Sequence, residues 1–321
     1  MFWVKCAMEG KPYYIFRDYT AEMERAVRQM VAGCTYDLVI IDTLTMTAYT
    51  EEIGLPRVLQ EHNVEWYVVD SYTRLQGKMW YAYAGRREGQ LIRRYEIKEC
   101  VRSNAVVVLS EEDRGRLRNL GVGTKIEVIP PTVRTRARKT DGEEGVILYV
   151  GTGHWPPAAD GIRWFLREVW PRIKRKHPSA EFWMAGVPPR GLKKREIPQC
   201  VRMLGYVEDL EILYQRAKVF IAPVRVGSGV RLKILHALAR GLAVVSTSAG
   251  CEGTGAVDRV HMRIADTAED FAEAVVEILK NRRLADQLGK AGQTLVQERF
   301  HPKVKEEKWK LLIEEVLAGR N

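Results

Sequence analysis

Short apolar runs rich in Val and Ile alternate along this chain with segments of helical period, and that alternation constrains its fold more than any single residue does. Strands of a parallel sheet carry helices on both faces, so they read as continuous apolar runs. In the first half such runs are 37–41, 57–60, 105–109 and 125–129. Between the runs, Met23, Ala26, Val27, Met30 and Val31 recur on one helical face. A charged stretch near 83–101 predicts a long helix with Arg86, Arg87, Arg93 and Arg94 on its wet side. A polar run then opens on Pro130-Pro131 and lacks any apolar period as far as Gly145, which marks a linker. The alternation restarts beyond it. Strands are expected at 146–150, 181–185, 200–204, 219–222 and 243–246, and helices at 160–174, 209–216, 230–239, 268–280 and 283–296. An amphipathic helix at 304–317 starts just beyond Pro302. At 321 residues the chain is about twice a common domain. The expected fold class is α/β with two doubly wound domains: 1–133, a linker at 134–145, then 146–300, and a terminal helix at 301–321.

Composition narrows the partners. Lys and Arg number 51 against 41 Asp and Glu, a net charge of +10 that leans toward the C-terminal half and suits anionic partners. No run approaches the ~20 apolar residues of a membrane span, and the opening segment has no secretion-signal pattern. The five cysteines are scattered, with no Cys-x-x-Cys pair and no zinc spacing, so reduced thiols in a cytoplasmic setting are expected. Basic clusters stand at Arg172, Lys174, Arg175 and Lys176, and at Arg190, Lys193, Lys194 and Arg195. A solvated surface is their ordinary reading, and peripheral contact with acidic membrane is the sharper one. No nucleic-acid motif accompanies the charge.

The most informative segment is Ala222-Pro223-Val224-Arg225-Val226-Gly227-Ser228-Gly229-Val230-Arg231-Leu232-Lys233-Ile234-Leu235-His236-Ala237. A buried strand ends in Gly-Ser-Gly and a helix follows at once. Ligands of open parallel sheets bind beyond the carboxyl ends of the strands, and a helix start favours an anion. Glycines let the backbone approach a diphosphate, and Arg231 and Lys233 add charge to it. A plain glycine turn with two solvated basic side chains is the competing reading. A second loop, Gly151-Thr152-Gly153-His154-Trp155-Pro156, also joins a strand to a helix. Pro156 occupies the place of the third glycine of a dinucleotide fingerprint, and no acidic residue ends the following strand, which disfavours NAD.

With Glu61-His62-Asn63-Val64-Glu65, Gly205-Tyr206-Val207-Glu208-Asp209 and Val245–Gly253 in the same order, the sequence resembles the retaining glycosyltransferases of family 4, in a bacterial branch carrying Gly-Ser-Gly-x-Arg-x-Lys. The resemblance implies a GT-B fold, two Rossmann-like domains facing a cleft. Acceptor binds mainly to the first domain, nucleotide sugar to the second, and the last helix packs back across the domain junction. It implies that Gly229, Val230, Arg231 and Leu232 present N–H groups to the diphosphate while Arg231 and Lys233 neutralise the leaving group. Gly227 and Ser228 belong to that loop, Gly205, Tyr206 and Val207 would contact the base, and Gly151, Thr152, Gly153 and His154 would line the cleft. His62 would lie near the transferred sugar, with Glu61 and Asn63 on the acceptor side. The implied reaction moves a hexose from a nucleoside-diphosphate sugar to a sugar, lipid-linked or other small acceptor, with retention, no metal and no further cofactor.

Two departures stand out. His236 occupies a position where relatives carry a glutamate that grips the ribose, so altered donor binding is expected. Relatives also carry a strand, a glycine-rich loop and one or two βα units before the region that matches from Lys11, so the resemblance leads to the expectation of a reduced N-terminal domain. A non-catalytic or partner-dependent nucleotide-sugar-binding protein of the same fold is therefore the alternative. On residues alone His62 reads more readily as a structural, hydrogen-bonded histidine than as a catalytic one, and it is the family resemblance that reverses this. Glu61 and Glu65, four apart, would face one another if helical. Trp155, Trp164, Trp170 and Trp183 read as core or site wall, and Cys251 has no evident base beside it.

Overall fold

The computed structural model describes residues 6, 9–76, 79–138, 142–193, 197–198 and 200–319. The predicted apolar runs of the first half become four parallel strands, β1 Val39–Asp42, β2 Arg57–Glu61, β3 Ala105–Val108 and β4 Lys125–Val128, in the spatial order β1-β2-β3-β4. All four residues of β3 are buried, as a strand covered on both faces requires. The longer helices of this half are α1 Ala21–Gly33, α2 Glu65–Gln76, α3 Met79–Arg102 and α4 Glu111–Asn119. The Thr20 hydroxyl caps α1 and that of Ser110 caps α4, each accepting a backbone N–H of the first turn. Ile41, Leu59, Val64, Ile92, Val106, Val108 and Leu117 form one core cluster. Burying each such side chain contributes about 1.5–3 kcal/mol.

The expected stripe on α1 forms but does not enter this core. No residue of α1 is buried, and Met30 is 60% exposed. By contrast, Arg86, Arg87, Arg93 and Arg94 lie exposed on α3 as expected.

In the second half the strands are β5 Val146–Val150, β6 Glu181–Ala185, β7 Val201–Gly205, β8 Val219–Ala222, β9 Ala243–Ser246 and β10 Arg263–Ile264. They form one parallel sheet in the order β10-β9-β8-β5-β6-β7. The chain thus builds outward from β5 in one direction and from β8 in the other, which puts the topological switch point between these two strands. The expected helix at 160–174 is longer and irregular. It runs as α5 Pro156–Trp164, a π-helical turn Phe165–Val169, and α6 Trp170–Lys176. Pro156 and Pro157 fit the first turn, where no backbone donor is lost. The extra residue of the π turn aims Phe165 and Trp170 at Phe182, with ring centroids 4.7 Å and 6.0 Å away. Trp164, Trp170 and Trp183 are buried, and Trp155 only partly. The other helices longer than one turn are α7 Leu210–Arg216, α8 Leu232–Leu238, α9 Ala268–Lys280 and α10 Arg282–Arg299, followed by α11 Pro302–Ala318.

Contacts divide the chain into one unit of Met1–Pro130, Gly227–Val230 and Lys305–Asn321, and a second of Pro131–Val226 and Arg231–Val304. The polar run after Pro130 therefore belongs with the second unit rather than forming a free tether. Its backbone is pinned there: Val133 N–H donates to Phe300 O at 3.0 Å and Arg136 N–H to Ala239 O at 2.9 Å. Helix α11 includes Pro302, two residues earlier than predicted. Its Leu312 and Val316 pack on Val58, Ala105, Val107 and Ile129 of the first unit. Among the described residues no helix is long and apolar enough to cross a membrane.

Candidate functional site

In the second unit the loops after β5 and β8 flank the switch point, where ligands of open α/β sheets bind. Gly151, directly after β5, adopts φ +155°, and a Cβ there would collide with Lys233 Nζ and Tyr149 Oη. Lys233 Nζ donates to Tyr149 Oη at 2.9 Å and lies 4.4 Å from the ring centroid. Burial, reinforced by the Arg231 charge, pushes the ammonium pKa down to about 8. The Arg231 guanidinium carbon sits 6.0 Å from the Trp155 ring centroid. Two cations are thus held close together in a part-buried place, an arrangement that an anion would relieve.

The carboxyl ends of β5, β6 and β7 are drawn together by glycines. Gly186 N–H donates to Gly205 O at 2.6 Å, and a Cβ on Gly186 would strike Gly151 O. Gly205 takes φ +65°, and Tyr206 beside it is 88% exposed. Gly153 N–H donates to Val187 O at 2.6 Å, while Thr152 and His154 lie at the surface, with the Thr152 hydroxyl accepting from His154 N–H at 3.2 Å.

Helix α8 starts later than the sequence suggested. Arg231 is its N-cap and makes no side-chain cap, and Leu232 is its first residue. Val230 therefore precedes the helix, because Arg231 takes an extended backbone, φ −83° and ψ 95°, outside the right-handed helical region. His236 is half-buried on α8, and burial, with Arg240 and Arg136 nearby, lowers its pKa and keeps the imidazole neutral at pH 7.

In the first unit the segment Gly227–Val230 meets the residues after β2. Ser228 Oγ, fully buried, accepts the Val64 N–H at 2.7 Å. A Cβ on Gly229 would collide with the His62 carbonyl. The two motifs that sequence order keeps about 165 residues apart are therefore in contact. His62 also gains partners that its sequence neighbours did not announce. Its Nε2 lies 2.6 Å from Asp42 Oδ1, and Gln60 Nε2 lies 2.8 Å from the same oxygen. The carboxylate accepts from both, which fixes the proton of a neutral His62 on Nε2 and leaves Nδ1 as an acceptor. Asp42 ends β1 and pairs in register with Gln60. The next residue, Thr43, takes φ +89°, a conformation ordinary for glycine and strained for threonine. No sequence motif marked Asp42; only strand register brings it to His62.

Glu61 is not an acceptor-side group. It completes β2 and alternates onto the opposite face from Gln60 and His62, where it is 1% exposed. Burial and the neighbouring Glu96, Glu65 and Asp113 raise its pKa well above the usual carboxylate range. Glu61 and Glu65 do not share a helix either, since Glu61 ends a strand and Glu65 opens α2. Asn63 does join the loop: with its amide oriented to satisfy its neighbours, Nδ2 donates to Ser228 O at 2.8 Å. Of the basic clusters, Arg172 and Lys176 are paired with Glu269 and Glu273, whereas Lys194 and Arg195 lie outside the described residues. None of the five cysteines is in a disulfide among the described residues.

This chain has known counterparts. A sucrose-phosphate synthase from Thermosynechococcus elongatus superposes with a TM-score of 0.75 at 16% identity, over 92% of this chain and 78% of that one. The pneumococcal O-GlcNAc transferase GtfA, solved with UDP and GlcNAc, gives 0.69 at 15% identity over 92% and 60%. Anabaena Alr3699/HepE in complex with UDP gives 0.68 at 13% identity over 92% and 82%. An uncharacterized 44.6 kDa protein in the cps region of Klebsiella pneumoniae is 28% identical over 167 residues, and the match spans 49% of this chain and 43% of that protein. The fold is GT-B, with two Rossmann-like parallel sheets, and residues 144–281 match the family model of the glycosyl transferases group 1.

Proposed function

We propose that the protein transfers a hexose from a nucleoside-diphosphate sugar to a hydroxyl of a sugar, lipid-linked or other small acceptor, with retention and without metal. The observation that carries the reading is the part-buried pair Arg231 and Lys233 at the switch point, two cations side by side under a glycine loop. A diphosphate bound there would set its negative charge beside both cations. On departure of the nucleotide, both cations stabilise the charge that develops on its β-phosphate, the role a metal ion plays elsewhere. Gly229, Val230, Arg231 and Leu232 offer backbone N–H groups to the phosphates. Gly227 and Ser228 shape that loop, with Ser228 anchoring it to Val64. Gly205, Tyr206 and Val207 would meet the base, His236 the ribose, and Gly151 to His154 the sugar side.

His62 is assigned to the transferred sugar, since its carbonyl abuts Gly229 in the diphosphate loop. Its Asp42 contact holds the ring in one orientation. Retention follows if the acceptor hydroxyl attacks from the face the phosphate leaves and passes its proton to a phosphate oxygen. The UDP bound in GtfA and HepE supports uracil as the first base to try.

Calorimetry with UDP, GDP, ADP and dTDP, followed by UDP-sugar turnover, tests the assignment. Arg231→Ala should weaken the best nucleotide by about 1.5–3 kcal/mol, the range for charged hydrogen bonds. Equal affinity in the variant removes the donor site. A second reading, nucleotide-sugar binding without transfer, is favoured by His236 in place of a carboxylate. Tight binding without turnover on any acceptor would select it.

A further inference from the structure

Helices α2 and α3 run antiparallel, as the pairings Trp66 with Arg93 and Thr73 with Gly85 show. At Gly85 they touch, since a Cβ there would strike the Thr73 side chain. At Gly89, one turn on, a Cβ would meet nothing within 4 Å. Between these helices lies a hollow of about 520 Å³. Its walls are Trp66, Asp70 and Arg74, spaced four apart on α2, and Arg86 and Arg93, seven apart on α3, with Gly89 as the floor. Arg74 pairs with Asp70 at 2.7 Å. Among the described residues Arg86 and Arg93 have no carboxylate within 4.0 Å, and Arg93 instead leans on the Trp66 ring with 5.9 Å to the centroid. Three guanidinium groups and one carboxylate therefore share a concave surface with a flat indole wall.

We propose that this hollow is a second binding site, for a phosphate monoester or diester carried on a sugar or glycerol body. Guanidinium groups grip phosphate oxygens two at a time, and a like-charged concave surface concentrates anions. The indole offers the body an apolar face, and the glycine floor leaves room for it. Singly solvated surface arginines do not require a glycine floor or a shared wall. The site is built wholly from the first unit and stands without the transfer reaction proposed above. A soluble sugar phosphate and a phospholipid headgroup present the same chemistry.

The full-length protein would be titrated with glucose 1-phosphate and glycerol 3-phosphate by calorimetry, and sedimented with phosphatidylglycerol or phosphatidylcholine vesicles at low salt. The paired variant Arg86→Gln/Arg93→Gln should weaken binding about tenfold to a hundredfold. Arg87→Gln/Arg94→Gln removes equal charge from the same helix outside the hollow and should change little. Gly89→Leu keeps every charge and fills the space, so it should weaken binding at least as much as the Arg86/Arg93 pair. Response to the soluble phosphates identifies a soluble ligand, and response to phosphatidylglycerol vesicles alone identifies a headgroup. No binding of either probe, equal loss in both arginine pairs, or full binding in Gly89→Leu overturns the proposal.

Discussion

The Nζ of Lys233 donates to Oη of Tyr149 across 2.9 Å, and burial beside Arg231 pushes its pKa to about 8. Its folded pKa lies below the unfolded value near 10.4. Stability linked to this amine is fully present above the unfolded value and is lost as pH falls through about 8. At pH 7 the group is charged in both states and costs on the order of 3 kcal/mol. Lys233→Met should therefore raise the melting temperature of the ligand-free protein at pH 7 while weakening nucleotide diphosphate binding. Wild-type binding should decline as pH rises past about 8. A melting temperature that falls in the variant would show the ammonium to be structural.

Asp42 and His62 should act together. Asp42→Asn keeps the shape but donates or accepts through a neutral amide, so the His62 ring loses its fixed orientation. Turnover should drop at least tenfold, with nucleotide affinity unchanged by calorimetry. His62→Ala should lower turnover to the same level, and the double variant should add little, since groups acting as one unit are not additive. Additive losses would separate the two residues.

Glu96 is expected to govern pH stability. Its buried carboxyl accepts the Glu65 N–H at 2.7 Å and the Trp66 N–H at 3.3 Å, capping α2, yet burial raises its pKa to about 8. A raised folded pKa means that its stabilisation is full below about pH 4 and is lost as pH rises through 8. Denaturation curves should show stability declining between about pH 5 and pH 8, and Glu96→Gln should flatten that slope.

His236→Glu adds a second hydrogen-bond acceptor at the position proposed to meet the ribose. Nucleotide affinity should rise about tenfold, roughly the value of one charge-assisted hydrogen bond. An unchanged dissociation constant would place the ribose elsewhere.

Glu99 is buried against Arg57, with 2.7 Å between Oε2 and Nη2. Glu99→Gln leaves the guanidinium without its charge partner and should cost about 3–5 kcal/mol in chemical denaturation.

The sequence by itself determined the α/β class, the four strands of the first sheet and five of the six in the second. Parallel strands covered on both faces are written as apolar runs that need no tertiary knowledge to read. It missed β10, whose two residues make too short a run. It also marked both glycine loops, because close backbone approach to a ligand or neighbour restricts composition at Gly151 and Gly229. Contacts made across long stretches of chain were decided only by the tertiary structure. Strand register carried Asp42 to His62, and period-two alternation turned Glu61 inward, where burial raises its pKa. Ser228 reached Val64 through folding, and Arg136 found Ala239, so a stretch that reads as linker became part of a unit. The hollow at Gly89 likewise exists only where two helices part, since local sequence encodes which face a residue takes but not what that face will meet.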